Sequence, residues 1–162
     1  LTFLIIILVQ EIGLAFTLAG VIFGTAQAAG AILRIVMGWI ADKTLGARHT
    51  LCALGIGSAL ALIALTMLTS NSPLLLVALI SILAGALSFG WNGVFLAEIS
   101  SLADPKDVGA TTGGSLFFLY AGVVFGPAAM SFMVTVSGGF TVPLYAVATL
   151  TAIASLNLMR KA

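Results

Sequence analysis

The sequence predicts an all-α membrane protein, a polytopic helix bundle with five full transmembrane helices and a partial first one. Three observations carry that prediction. Charged residues make up 7% of the chain and apolar residues 61%, with a mean hydropathy of +1.26, where soluble domains hold about 25% charged residues. Uncharged stretches cover residues 12–33, 50–97 and 108–159. The six Lys and Arg are also confined to a few short segments. A water-facing surface needs far more charge than this, so no soluble domain is expected.

Residues 1–10, LTFLIIILVQ, form an apolar run without the basic flank of a secretory signal. Ten residues of helix reach only ~15 Å, half of the hydrocarbon layer, so this is a partial span. The second span is expected near 18–41. The stretch 50–97 is too long for one crossing, and TSNSP at 69–73 supplies a turn, giving spans near 51–69 and 74–99. SGGFTVP at 137–143 divides the next stretch into spans near 112–136 and 142–159.

With these boundaries Lys43, Arg48 and His49, then Lys106, then Arg160 and Lys161 fall on one side of the membrane. Cytoplasmic connections carry the excess of Lys and Arg. The expected arrangement is therefore a multi-pass protein of the cell (inner or plasma) membrane with its C-terminus in the cytoplasm. Lipid gives helices no hydrophobic reason to associate, so small residues must let backbones approach. Gly24, Ala28, Ala31, Ile35 and Gly38 form one such stripe, GIGSALA at 55–61 another, and Gly122 with Gly126 a third.

Polar residues within spans are costly unless they face a bundle interior or a wet cavity. Gln27 and Arg34 share a face of the second span; Ser81, Ser88, Asn92 and Phe95 share one on the fourth, with Trp91 alongside. Gln27, Arg34, Ser88, Trp91 and Asn92 are the candidates for a solute path. Arg34 has a second reading, since it lies ~12 Å before Asp42 and its stem can carry the guanidinium to the cytoplasmic interface. Trp91 has one too, as an interfacial anchor. Glu11 and Glu98 fall near span ends and are expected to be interfacial.

Residues 38–49, GWIADKTLGARH, crowd charge into a chain that otherwise avoids it. Gly38, Asp42, Lys43, Gly46, Arg48 and His49 resemble the cytoplasmic signature of the major facilitator superfamily: Gly, three residues, Asp, a base, a short gap, Gly, then Arg and another base. The sequence departs by one extra residue before Gly46, by Ala47 before the Arg, and by His49 in place of a permanent cation. GWNGVFLAEISSLADPKDVGATTGG at 90–114 is similar to the tenth helix and following loop of that superfamily, and GVVFGPAA at 122–129 to its Gly-Pro bend, at Gly126 and Pro127.

The resemblance implies half of a twelve-helix fold, the end of the seventh helix through the twelfth, because the fourth span lacks the Arg usual in the N-terminal half. It implies secondary transport of a small solute by alternating access. In it the charged turn (Gly38, Asp42, Lys43, Gly46, Arg48) acts as a latch, Asp42 holding a neighbouring helix N-terminus or its own loop cations. The partners it implies are the lipid bilayer, a small-molecule solute and the N-terminal half of the carrier; no nucleic acid is implied. The alternative is a half-protein that packs with another membrane subunit and moves nothing itself. No enzyme is expected, since the one His lies in a turn, HExxH is absent and no Ser/His pair is evident; nor is a metal or cofactor. Cys52 is the only cysteine, which excludes an internal disulfide.

Overall fold

The computed structural model describes residues 3–160. The helices are α1 (Leu4–Gln10), α2 (Phe16–Ile40), α3 (Gly46–Thr66), α4 (Leu74–Leu102), α5 (Val108–Ser137) and α6 (Thr141–Arg160). With no water in a bilayer core to satisfy peptide groups, each crossing must close its own hydrogen bonds, and the five long apolar helices do so.

The spans expected near 18–41 and 51–69 imply a connecting loop between them; the structure corrects this. Ala41–Leu45 form a π-helical turn, so α2, this turn and α3 run on as 51 residues without an unwound linker. A straight helix of that length would extend ~77 Å, more than twice the hydrocarbon thickness. Gly46 breaks it, at φ 75° and ψ 157°, backbone angles that a residue with a β-carbon rarely adopts. Four long helical runs, the first broken at Gly46, thus contain the five predicted full spans.

Neighbour registers show the reversal. Along α2 and α4, Ala26 lies against Gly85, Gly30 against Ala86 and Phe89, and Arg34 against Gly93, so the two helices run parallel. Along α3 and α4, Ser58 meets Ser88, Leu54 meets Gly90 and Arg48 meets Glu98, an antiparallel pairing. Helices α3 and α6 also pack together, with Gly55 against Thr151 and Ser155.

The remaining boundaries have local causes. Helix α3 ends at Thr66, short of the expected 69, because Thr69 and Ser72 close a turn: the Ser72 N–H donates to the Thr69 carbonyl and the Thr69 N–H to Ser72 Oγ, each at 3.0 Å. Between α4 and α5 the Lys106 N–H donates to Asp104 Oδ1 at 3.2 Å. Gly138 caps α5 in the left-handed conformation (φ 75°), its N–H donating to the Val134 carbonyl at 2.9 Å. Pro143 sits in the first turn of α6, where no intrahelical N–H is required.

One hydrophobic cluster closes the end of the bundle opposite the charged turn: Leu4, Ile7 and Leu8 of α1 with Ile22, Leu65, Val77 and Leu144. Phe3 and Phe140 meet there as a tilted pair, with ring centroids 6.0 Å apart. Helix α5 packs on α4 and α6 but has no buried residue.

Two of the three predicted small-residue stripes do not pack within the described residues. Gly24, Ala28, Ala31 and Ile35 face outward, and a β-carbon at Gly24, Gly38, Gly122 or Gly126 would meet nothing within 4 Å. The contact face of α2 is Ala19, Ile22, Ala26 and Gly30 instead. So many small residues occupy α2 that two faces qualify by spacing; the complementary surface of α4 selects one. GIGSALA behaves as expected, with Gly55 on Ser155 and Gly57 on Leu87.

Candidate functional site

The charged turn lies where α2 gives way to α3, and α4 reaches it from the side. Arg48, two residues past the Gly46 break, donates from Nε to Glu98 Oε1 at 2.8 Å. The pair is partly screened, with Arg48 36% and Glu98 19% exposed. It ties the turn to the last turns of α4, fifty residues away in sequence. Asp42 has no hydrogen-bond or ion-pair partner among the described residues and is exposed, as is Lys43. The expected contact between Asp42 and its own loop cations is therefore absent here. Gly38 and Gly46 have open space around them.

Between the turn and the hydrophobic cluster at the far end, the helices line a partly open cavity of about 1040 Å³. Gln27 of α2 and Ser88 and Trp91 of α4 line it, and so do Gly126 and Pro127 of α5. The Ser88 hydroxyl lies 3.1 Å from that of Ser58, joining α4 to α3 at the cavity wall. Trp91 packs edge-on against Phe95, 5.3 Å between centroids.

The other two solute-path candidates lie elsewhere. Arg34 is exposed beside Gly93, its aliphatic stem against the glycine, and has no ion-pair partner among the described residues. Asn92 is half-buried and not part of the lining. On α4, Ser88 and Trp91 turn toward the cavity, while Ser81 is fully buried, its hydroxyl unpartnered among the described residues. Helix α5 runs through Pro127 without unwinding, although proline has no N–H to offer the Val123 carbonyl one turn earlier.

Lys43, Arg48, Lys106 and Arg160 lie in the connections and helix end that the registers above place at one end of the bundle; Lys161 lies outside the described residues. The sequence reading missed Glu98 as the partner of Arg48. Its signal was available: both fall at the cation-bearing end, with opposite charge and near helix ends.

A bundle of apolar helices with cations at one end, a charged turn and a central cavity is matched by one family model, that of the Major Facilitator Superfamily, over residues 1–161. The chain belongs to the Major Facilitator Superfamily. Its members are membrane transporters of small solutes, and this chain is a multi-pass integral membrane protein of that family. No curated protein and no solved structure gives a match.

Proposed function

We propose that this superfamily chain acts in secondary transport of a small solute by alternating access, as the C-terminal six-helix half of a twelve-helix carrier. The Arg48–Glu98 pair carries the proposal. It fastens the turn between α2 and α3 to the end of α4, and Ser88 and Trp91 on α4 line the cavity. A pair so placed holds one end of the cavity walls together, and its release frees α3 and α4 to separate.

The cation-bearing end is cytoplasmic in this reading. Asp42, exposed and unpartnered, is then free to meet a helix N-terminus of the other half, where its charge is stabilised by the helix dipole. The cavity is the solute site, with Gln27, Ser88 and Trp91 as contacts, and Pro127 gives α5 a point at which to flex.

A cysteine at Ser88 in a Cys52→Ala background tests the latch. Labelled in membranes by an impermeant maleimide from the cation-bearing side, it should react several times faster in Glu98→Gln. The exchange Arg48→Glu with Glu98→Arg should restore the slow rate. Equal rates in all three proteins would refute the latch.

A further inference from the structure

In lipid, helices join where small residues let their backbones meet, and the inner helices of this bundle do so. Gly30 on Phe89 and Gly85 on Ala26 join α2 to α4, Gly57 on Leu87 and Gly90 on Leu54 join α3 to α4, and Gly55 on Ser155 joins α3 to α6. Helix α5 has glycines too, at 109, 113, 114, 122 and 126, but a β-carbon at any of them would meet nothing within 4 Å. It packs on α4 and α6 without burying a residue.

The outer side of α5 can rest on lipid or on other helices, so the inward side is the one that needs an explanation. Val123, Gly126, Pro127 and Met130 line the cavity, yet Val123 is 59% exposed. Helix α3 lines the same cavity and shares no packing seam with α5. An apolar gap forfeits dispersion contacts on every wall that faces it, so α5 gains contact by moving inward. Three local features permit that movement. Gly126, and Gly122 one turn earlier, present no side chain to collide with the opposite wall. Pro127 leaves the Val123 carbonyl without the N–H that would stiffen the helix there. Gly138, at φ 75°, ends the helix on a residue that tolerates unusual backbone angles.

We propose that α5 is a lid with two seats. In the seat described above it leaves the cavity open; in the second it flexes at Pro127, brings Gly122 and Gly126 against α3 and α6, and closes the cavity. The seams of α2, α3, α4 and α6 stay packed throughout, because their glycines are already in contact. This movement lies within the six helices of this chain, and so is distinct from any swing against another half. It deepens the transport reading above, since a molecule in the cavity would hold α5 out and its departure would let the helix seat.

Disulfide formation across the cavity tests the second seat, because the bond needs α-carbons within about 7 Å of each other. The chain has one cysteine, so Cys52→Ala gives a clean background. In lipid nanodiscs under mild oxidant, the pairs Gly126→Cys with Ser58→Cys and Val123→Cys with Ser58→Cys join two cavity-lining positions. Both should cross-link several times faster than the control pair Phe125→Cys with Ser58→Cys, since Phe125 is not part of the lining. Gly126→Leu fills the space into which α5 moves, and Pro127→Ala restores the missing helix N–H; each should slow the Val123–Ser58 cross-link several-fold. Cross-linking no faster than in the control pair would overturn the lid. Rates unchanged by both Gly126→Leu and Pro127→Ala would also overturn it, because random breathing of the bundle needs neither the glycine gap nor the proline. The latch is read by maleimide labelling in proteins without these pairs, so the lid and the latch fail independently.

Discussion

Glycine at position 85 sets how closely α2 and α4 approach, and replacing it with alanine should loosen the seam on which Gln27, Ser88 and Trp91 depend. A β-carbon there would lie 2.6 Å from the Ala26 β-carbon, against an optimum of 3.5–4.0 Å between carbon atoms. The backbones must part by roughly 1 Å, at a strain cost of about 2 kcal/mol for overpacking. The alanine recovers about 1 kcal/mol of helix propensity, so Gly85→Ala should destabilise by about 1 kcal/mol. Ala26→Gly removes the opposing methyl; alone it costs about 1 kcal/mol in propensity and about 0.8 kcal/mol in lost burial. The double variant moves the methyl from one helix to the other and should return close to wild type. The coupling between the sites is then on the order of 2–3 kcal/mol, far above the ~0.5 kcal/mol at which sites count as independent. Reaction of the buried Cys52 thiol with a maleimide at rising detergent denaturant measures the stability of all four proteins. Additive effects, or a Gly85→Ala protein as stable as wild type, would refute the close parallel seam.

At Gly24 a β-carbon meets nothing, so Gly24→Ala should leave that stability within about 0.5 kcal/mol of wild type or raise it, by the same thiol assay. Ser81→Ala removes a fully buried hydroxyl that has no partner and should be neutral or stabilising by about 1 kcal/mol in denaturant unfolding; a clear loss would show a hidden partner. Cysteines at Ser72 and Gly138 should label from one side of the membrane and one at Lys106 from the cytoplasm only, and the reverse pattern would overturn the orientation. Asp42→Asn should lower transport while leaving unfolding unchanged, because its carboxylate holds nothing within the described residues; normal uptake would remove Asp42 from the latch.

Charge and helix breakers were enough to locate the helices, because a charge is expensive inside lipid and cheap at its edges. Faces were harder. In water, an apolar stripe marks the buried side of a helix; in lipid both sides are apolar, and polarity no longer separates core from surface. Phe117, Phe118, Val124 and Phe125 on α5 are all more than half exposed, yet such a surface is ordinary for a lipid-facing helix. Small residues therefore had to stand in for polarity, and on α2 they occur on two faces at once. Only Gly85, Ala86 and Phe89 across the seam decide that Ala26 and Gly30 pack while Gly24 and Ala28 do not.

The ion pair shows the same limit from the other side. Each member sits near a helix end, where sequence reading assigns a charge to the interface and looks no further. What joins them is the antiparallel register of α3 and α4, fixed by the Leu54–Gly90 and Ser58–Ser88 contacts deeper along α3 than Arg48, at about 1.5 Å of helix per residue. Slide α3 by one turn, about 5.4 Å, and both the serine contact and the ion pair are lost together. The hydroxyl pair in the cavity wall and the charge pair at the turn are thus two readouts of one register. In the proposed mechanism, a solute that competes for the Ser58–Ser88 hydrogen bond would act on the same helix pair that Arg48 and Glu98 join, and its occupancy of the cavity would be felt at the charged turn.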